Sequence, residues 1–164
     1  MKYCIILMTF LVVSCIGPDS ETDISSYQDL KKHFKPEFLR HFPKTLENPE
    51  SASVYYSPSF LQGGTTFQLI YKYKNSNEAQ GEYKRLEKKS SQKGSFNRIN
   101  DSLNIAIGFE VMVGNKNEID NDSKILIFQS NPLANTKSIW NHGFTTGIAF
   151  NETENSILYW IEEW

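Results

Sequence analysis

The feature that most constrains the fold is a stretch in which apolar residues recur at every second position, Leu103–Val113. Its odd-numbered positions hold only leucine, isoleucine, phenylalanine and valine, whereas Asn104 and Glu110 stand among the even ones. A two-residue period is typical of a β-strand that buries one face. We therefore predict a long strand here, at the centre of a sheet.

Further strands are predicted on both sides of this one, most of them in hairpins. Ser51–Phe60 and Thr65–Lys74 flank a pair of glycines, which supply the positive φ angles of a tight turn. Phe144–Phe150 and Ser156–Trp164 flank a short polar turn, and Lys124–Ser130 is a short strand before them. Hairpins of this kind favour one antiparallel sheet over a βαβ arrangement.

Helical periodicity occurs in two regions. Tyr27, Leu30 and Phe34 recur at helical spacing, and Pro36–Phe42 predicts a second short helix directly after them. Asn77–Ser91 predicts a longer amphipathic helix. We therefore expect an α+β fold, with an antiparallel sheet of about five to six strands and two or three helices packed on one face. Residues 25–164 would form this single globular domain.

The N-terminus has the layout of a secretory signal peptide. Lys2 supplies a positive charge, and Ile5–Val13 is apolar apart from one threonine. This run is about half of the roughly 20 residues that a membrane-spanning helix needs. It ends in Val12–Cys15, which resembles the lipobox of bacterial lipoproteins, where a small residue precedes an obligatory cysteine. The resemblance covers residues 1–15 only and carries no information on the fold of the domain.

The resemblance implies a lipid anchor at Cys15. Fatty acids such as palmitate would be attached to its thiol and to the new amine, after residues 1–14 are removed as the signal peptide. Residues 15–24 would follow as a flexible tether, since they contain glycine, proline and acidic residues without an apolar period. The implied location is the cell envelope, in the outer membrane where the host has one. An ordinary signal peptide cut elsewhere and an uncleaved anchor are the alternatives.

Charge and cysteine content restrict the partners and the source of stability. The full chain has 17 basic and 19 acidic residues, and loss of Lys2 leaves 16 basic residues and a formal charge of −3. This balance argues against nucleic acid as a partner and assigns membrane attachment to the lipid. Cys4 also leaves with the signal peptide, so the mature chain cannot form an internal disulfide and depends on its core.

The sequence contains none of the common catalytic motifs, such as Gly-x-Ser-x-Gly or His-Glu-x-x-His. His33, His41 and His142 are its only histidines, and each is predicted to be a surface or half-buried side chain rather than a ligand or base. Glu162 and Glu163 are neighbours on a predicted strand, so they should point to opposite faces. The chain therefore offers no ground for assigning catalytic residues, a metal site or a cofactor.

The candidate partner-binding residues are Trp140, Asn141 and His142, in a loop. A loop tryptophan beside polar groups can anchor a protein or stack on a glycan, although packing of Trp140 in the core is the alternative. We expect a non-catalytic binding or accessory module with a protein or glycan partner. The alternatives are an immunity or inhibitor lipoprotein that acts against an envelope enzyme, and a hydrolase of envelope polymers.

Overall fold

The structure, a computed structural model, describes residues 21–58, 64–95, 122–131 and 143–163. Within these ranges the chain forms two α-helices and seven strands, with a 3-10 turn on either side of the first helix. The bounds are β1 Glu21–Thr22, α1 Tyr27–Leu30, β2 Ser51–Ser57, β3 Thr65–Lys72, α2 Ser76–Glu87, β4 Gln92–Ser95, β5 Lys124–Asn131, β6 Phe144–Asn151 and β7 Ser156–Glu163. The strand predicted at Leu103–Val113 lies outside the described residues.

The strands form one antiparallel sheet in the order β1-β2-β3-β7-β6-β5-β4. Apart from the two-residue β1 at one edge, they are four to eight residues long. The predicted hairpins are present as β2–β3 and β6–β7, and the centre of the sheet is the β3–β7 pair, with Leu69 opposite Tyr159. An α+β fold built on an antiparallel sheet is therefore confirmed.

The first helical segment is shorter than the sequence predicts. Tyr27, Leu30 and Phe34 are buried, as their spacing indicates. The second predicted helix, Pro36–Phe42, is wrong, because residues 36–41 are a succession of turns. The N–H of Phe38 donates to a carbonyl only three residues earlier, at 3.0 Å. A helix of so few residues lacks the length to offset its nucleation cost, so its apolar residues pack from turns instead.

The predicted helix Asn77–Ser91 is observed as α2, shifted toward the N-terminus. It begins earlier because Asn75 caps it, with its side-chain oxygen accepting the N–H of Glu78 at 3.0 Å. It ends earlier because the residues after it form the edge strand β4, in which Gly94 lies opposite Ile125 of β5.

The first face of the sheet carries the main hydrophobic core. Leu69, Ile148 and Tyr159 belong to one cluster of buried side chains, which also contains Phe34 and Leu86 from the helical segments. Aromatic rings connect the layers: the Phe34 and Phe42 rings lie 5.1 and 5.2 Å from that of Phe67, and the Tyr83 ring lies 5.0 Å from that of Phe150. Packing against the sheet therefore stabilises these short helical elements.

The second face of the sheet is buried as well. Strand alternation places Ile70, Ile127, Leu158 and Trp160 on it, and each is 2% exposed or less. Strands with two buried faces read as continuous apolar runs, and β7 has such a run from Ile157 to Ile161. Both faces of the central strands are therefore core positions.

Candidate ligand-binding cavity

A cavity of about 370 Å³ lies where the turns after α1, the end of α2 and strand β5 meet. Its described lining residues come from these three segments and are Glu37, Arg40, His41, Lys89, Phe128 and Gln129. Ligand sites in proteins commonly measure about 300–1,000 Å³. The cavity therefore has the size of a site for a small molecule.

The turns after α1 place three of the lining residues at helical spacing. Glu37, Arg40 and His41 stand at positions i, i+3 and i+4, which lie on one side of successive turns. The N–H of Phe42 donates to the carbonyl of Leu39 at 3.0 Å, which holds the last of these turns. The apolar residues of the same turns pack on the core and so direct the remaining side chains toward the cavity.

A β-bulge in β5 supplies the opposite wall. The register of β5 against β6 shifts between Ile127 and Gln129, which makes Phe128 the extra residue. Regular alternation would place Phe128 and Gln129 on opposite faces, but both line the cavity. Bulges redirect side chains in this way and are frequent beside functional sites. Lys89, the last lining residue, comes directly after α2, where its N–H donates to the carbonyl of Leu86 at 2.9 Å.

His41 is the most buried of the lining residues, at 3% exposure. Its ring stacks on that of Phe128, with 4.4 Å between the centroids and 18° between the planes. The rings of Phe42 and Tyr159 lie 4.8 and 6.4 Å away. The prediction of a surface or half-buried His41 is therefore wrong, because these aromatic neighbours enclose the imidazole.

The imidazole of His41 is neutral at physiological pH. Burial lowers its pKa to about 3, and hydrogen bonding to the backbone of Trp160 and Gly147 offsets only part of that effect. Nε2 is itself fully buried and has no hydrogen-bond partner within the described ranges. His41 therefore contributes an uncharged ring to the wall of the cavity, and its Nε2 is not open to the cavity.

Thr146, the cross-strand partner of Gln129, has a buried hydroxyl that also finds no hydrogen-bond partner within the part of the chain that the structure describes. A buried polar group without a hydrogen bond costs about 1–3 kcal/mol. Thr146 therefore lowers the stability of the core in this region.

The rim of the cavity carries three exposed charged side chains, Glu37, Arg40 and Lys89. Arg85, elsewhere on α2, pairs closely with Glu82. By contrast, neither Arg40 nor Lys89 forms an ion pair with any described residue. With two cations and one carboxylate, the described part of the lining has a formal charge of +1, and these cations favour an anionic group at the rim.

The other residues singled out from the sequence do not contribute to this cavity. Cys15, Trp140, Asn141 and His142 lie outside the described residues, so their roles stay predictions. His33 is exposed, and its ring stacks on a tyrosine of β2 with 5.7 Å between the centroids.

The adjacent glutamates at the end of β7 do not form an acid–base pair. Glu162 and Glu163 are consecutive strand residues and so point to opposite faces of the sheet. Burial raises the pKa of Glu162 to about 7, with Thr66 and Thr145 as its cross-strand neighbours. Glu162 therefore affects the stability of the fold through its raised pKa, and it does not form an acid–base pair with Glu163.

Two kinds of arrangement are absent from the described ranges. No group of three or more histidine, cysteine, aspartate or glutamate side chains there could hold a metal ion. No helix there is long and apolar enough to cross a membrane.

Sequence reasoning missed the cavity because its two walls depend on features without a strong sequence pattern. The bulge at Phe128 breaks an alternation that otherwise reads as a regular strand. One pattern in the sequence does point to the cavity: the polar residues Glu37, Arg40 and His41 recur at helical spacing between buried phenylalanines.

Comparisons of the chain with protein-family models, with curated proteins and with solved structures gave no match.

Proposed function

We propose that the chain is a lipid-anchored protein of the bacterial cell envelope, and that its domain is a non-catalytic binding or accessory module. The location is supported by the lipobox resemblance of Val12–Cys15. The binding role is carried by one observation above all, a cavity of about 370 Å³ at whose rim Arg40 and Lys89 have no ion-pair partner among the described residues.

The arrangement of layers supports access to this cavity. We place both helical segments on the first face of the sheet, as the Phe34–Phe67 and Tyr83–Phe150 ring contacts favour. The cavity then lies where this helical layer meets β5, with its charged rim open to solvent. Trp140, Asn141 and His142 stay candidates for contact with a protein or glycan partner.

The lipid anchor is tested by metabolic labelling with a fatty acid. Replacement of the anchoring residue, Cys15→Ala, should abolish labelling and leave an unprocessed precursor, because the thiol that accepts the lipid is gone. Cys4→Ala is the matched control, since that cysteine lies in the segment to be removed, and it should label normally. A Cys15→Ala protein that is processed and stays with the membrane would refute the anchor.

The binding role is tested with small molecules of different charge. Saturation-transfer NMR on the full-length protein in detergent would use a panel of neutral sugars, sugar acids, amino acids and dicarboxylates. We expect at least one class to receive saturation, and the signal should disappear in Gln129→Trp, which fills the cavity from its half-buried wall. Absence of any signal, or a signal that Gln129→Trp leaves unchanged, would refute this site.

A further inference from the structure

The chemistry of the cavity restricts its ligand beyond its size. The rim offers the guanidinium of Arg40 and the ammonium of Lys89, both exposed and without an ion-pair partner among the described residues. Arginine and lysine bind carboxylate and phosphate oxygens through charge-assisted hydrogen bonds, which are about twice as strong as neutral ones. One part of the ligand should therefore be anionic.

The other polar side chains of the lining call for a different group. The carboxylate of Glu37 is an acceptor, and the amide of Gln129 can both donate and accept. Hydroxyl groups meet both requirements, since each donates one hydrogen bond and accepts others.

The volume restricts the ligand to a small molecule. A water molecule takes about 30 Å³ of liquid, so 370 Å³ holds roughly a dozen water-sized groups. The ring of Phe128 adds an apolar surface beside His41, on which the carbon face of a ring-shaped ligand can lie. A monosaccharide with one acidic group has this combination of size, hydroxyls and charge.

We propose that the cavity binds a small hydroxylated organic anion of the sugar-acid type, with its anionic group at Arg40 and Lys89 and its hydroxyls at Glu37 and Gln129. This inference rests on the proposed binding function and specifies its ligand. Glu37 accepts from a hydroxyl and so disfavours ligands with a second anionic group.

The test compares three probes of similar size on the full-length protein in detergent. Glucuronate has the anionic group and the hydroxyls, glucose lacks the anionic group, and cyclohexanecarboxylate lacks the hydroxyls. Calorimetry should show glucuronate binding on the order of tenfold more tightly than either of the others, because each control loses one set of hydrogen bonds. Equal binding of glucose or cyclohexanecarboxylate would overturn the ligand class and leave the binding function standing.

Substitutions at the rim separate charge recognition from the fold. The double variant Arg40→Gln/Lys89→Gln should lower the affinity for glucuronate on the order of tenfold and leave that for glucose unchanged. Lys88→Gln is the control, since Lys88 is exposed next to Lys89 but does not line the cavity. A double variant that binds glucuronate as the unmodified protein does would overturn the proposal.

Glucuronate that does not bind the unmodified protein at all would likewise overturn the assignment.

Discussion

Gly147 shows how closely side chains approach the backbone in the middle of the sheet. A Cβ atom on this residue would lie 2.5 Å from Cη2 of Trp160 and 2.7 Å from the carbonyl oxygen of Leu126. Both distances are far below van der Waals contact, and Trp160 is fully buried and cannot move aside. Gly81, on the exposed side of α2, has no atom within 4 Å of the same position.

These two glycines predict opposite effects of the same substitution. Gly147→Ala should lower the free energy of unfolding by about 2–3 kcal/mol, because it overpacks the core. Gly81→Ala should raise it by about 0.5–1 kcal/mol, because alanine restricts the unfolded chain and favours the helix. Chemical denaturation of the two variants measures both values. A change of the same sign in both would show that the contact with Trp160 is misplaced.

At the scale of elements, patterns that repeat were predictable and local exceptions were not. The hairpins β2–β3 and β6–β7 follow from period-two alternation because each strand buries at least one face. The bulge in β5 was not predictable, because one extra residue leaves a short strand looking regular. The prediction of a helix at Pro36–Phe42 was wrong for a physical reason too, because apolar residues at helical spacing also fit successive turns.

The start of α2 is an element boundary that the sequence only approximates. Asn75 is the cap, two residues before the predicted start of the helix, and its amide also donates to the carboxylate of Glu78 at 2.8 Å. Asn75→Ala should therefore lower the free energy of unfolding by about 1 kcal/mol. Asn77→Ala is the matched control, since this exposed asparagine lies within the helix, and it should change stability by less than about 0.5 kcal/mol. Equal losses in a denaturation experiment would contradict the cap assignment.

At the scale of the whole molecule, the buried His41 and the half-buried Glu162 shape the dependence of stability on pH. His41 has a folded pKa of about 3 against an ordinary value of 6.5, so stability falls as the pH drops from 6.5 toward 3. Glu162 has a folded pKa of about 7 against an ordinary 4.5, so the folded state holds the extra proton between these values. Its contribution therefore falls as the pH rises from 4.5 to 7.

The two opposing slopes predict maximal stability between pH 4.5 and 6.5. Glu162→Gln should remove the decline on the alkaline side and raise the free energy of unfolding at pH 8 by about 2–3 kcal/mol. Glu163→Gln, one position along on the other face, is the control and should leave the profile unchanged. Denaturation curves across the pH range test this, and an unchanged decline in Glu162→Gln would show that this carboxyl is well solvated.

The central claim is that the cavity binds a small hydroxylated anion through the cations at its rim. Arg40 and Lys89 are exposed and line the cavity, so their replacement should affect binding and not the core. We predict that Arg40→Gln/Lys89→Gln binds glucuronate on the order of tenfold more weakly, while its free energy of unfolding changes by less than about 0.5 kcal/mol. Calorimetric binding and chemical denaturation of the two proteins, measured side by side, test both parts. Equal affinity for glucuronate in the two proteins would contradict the account.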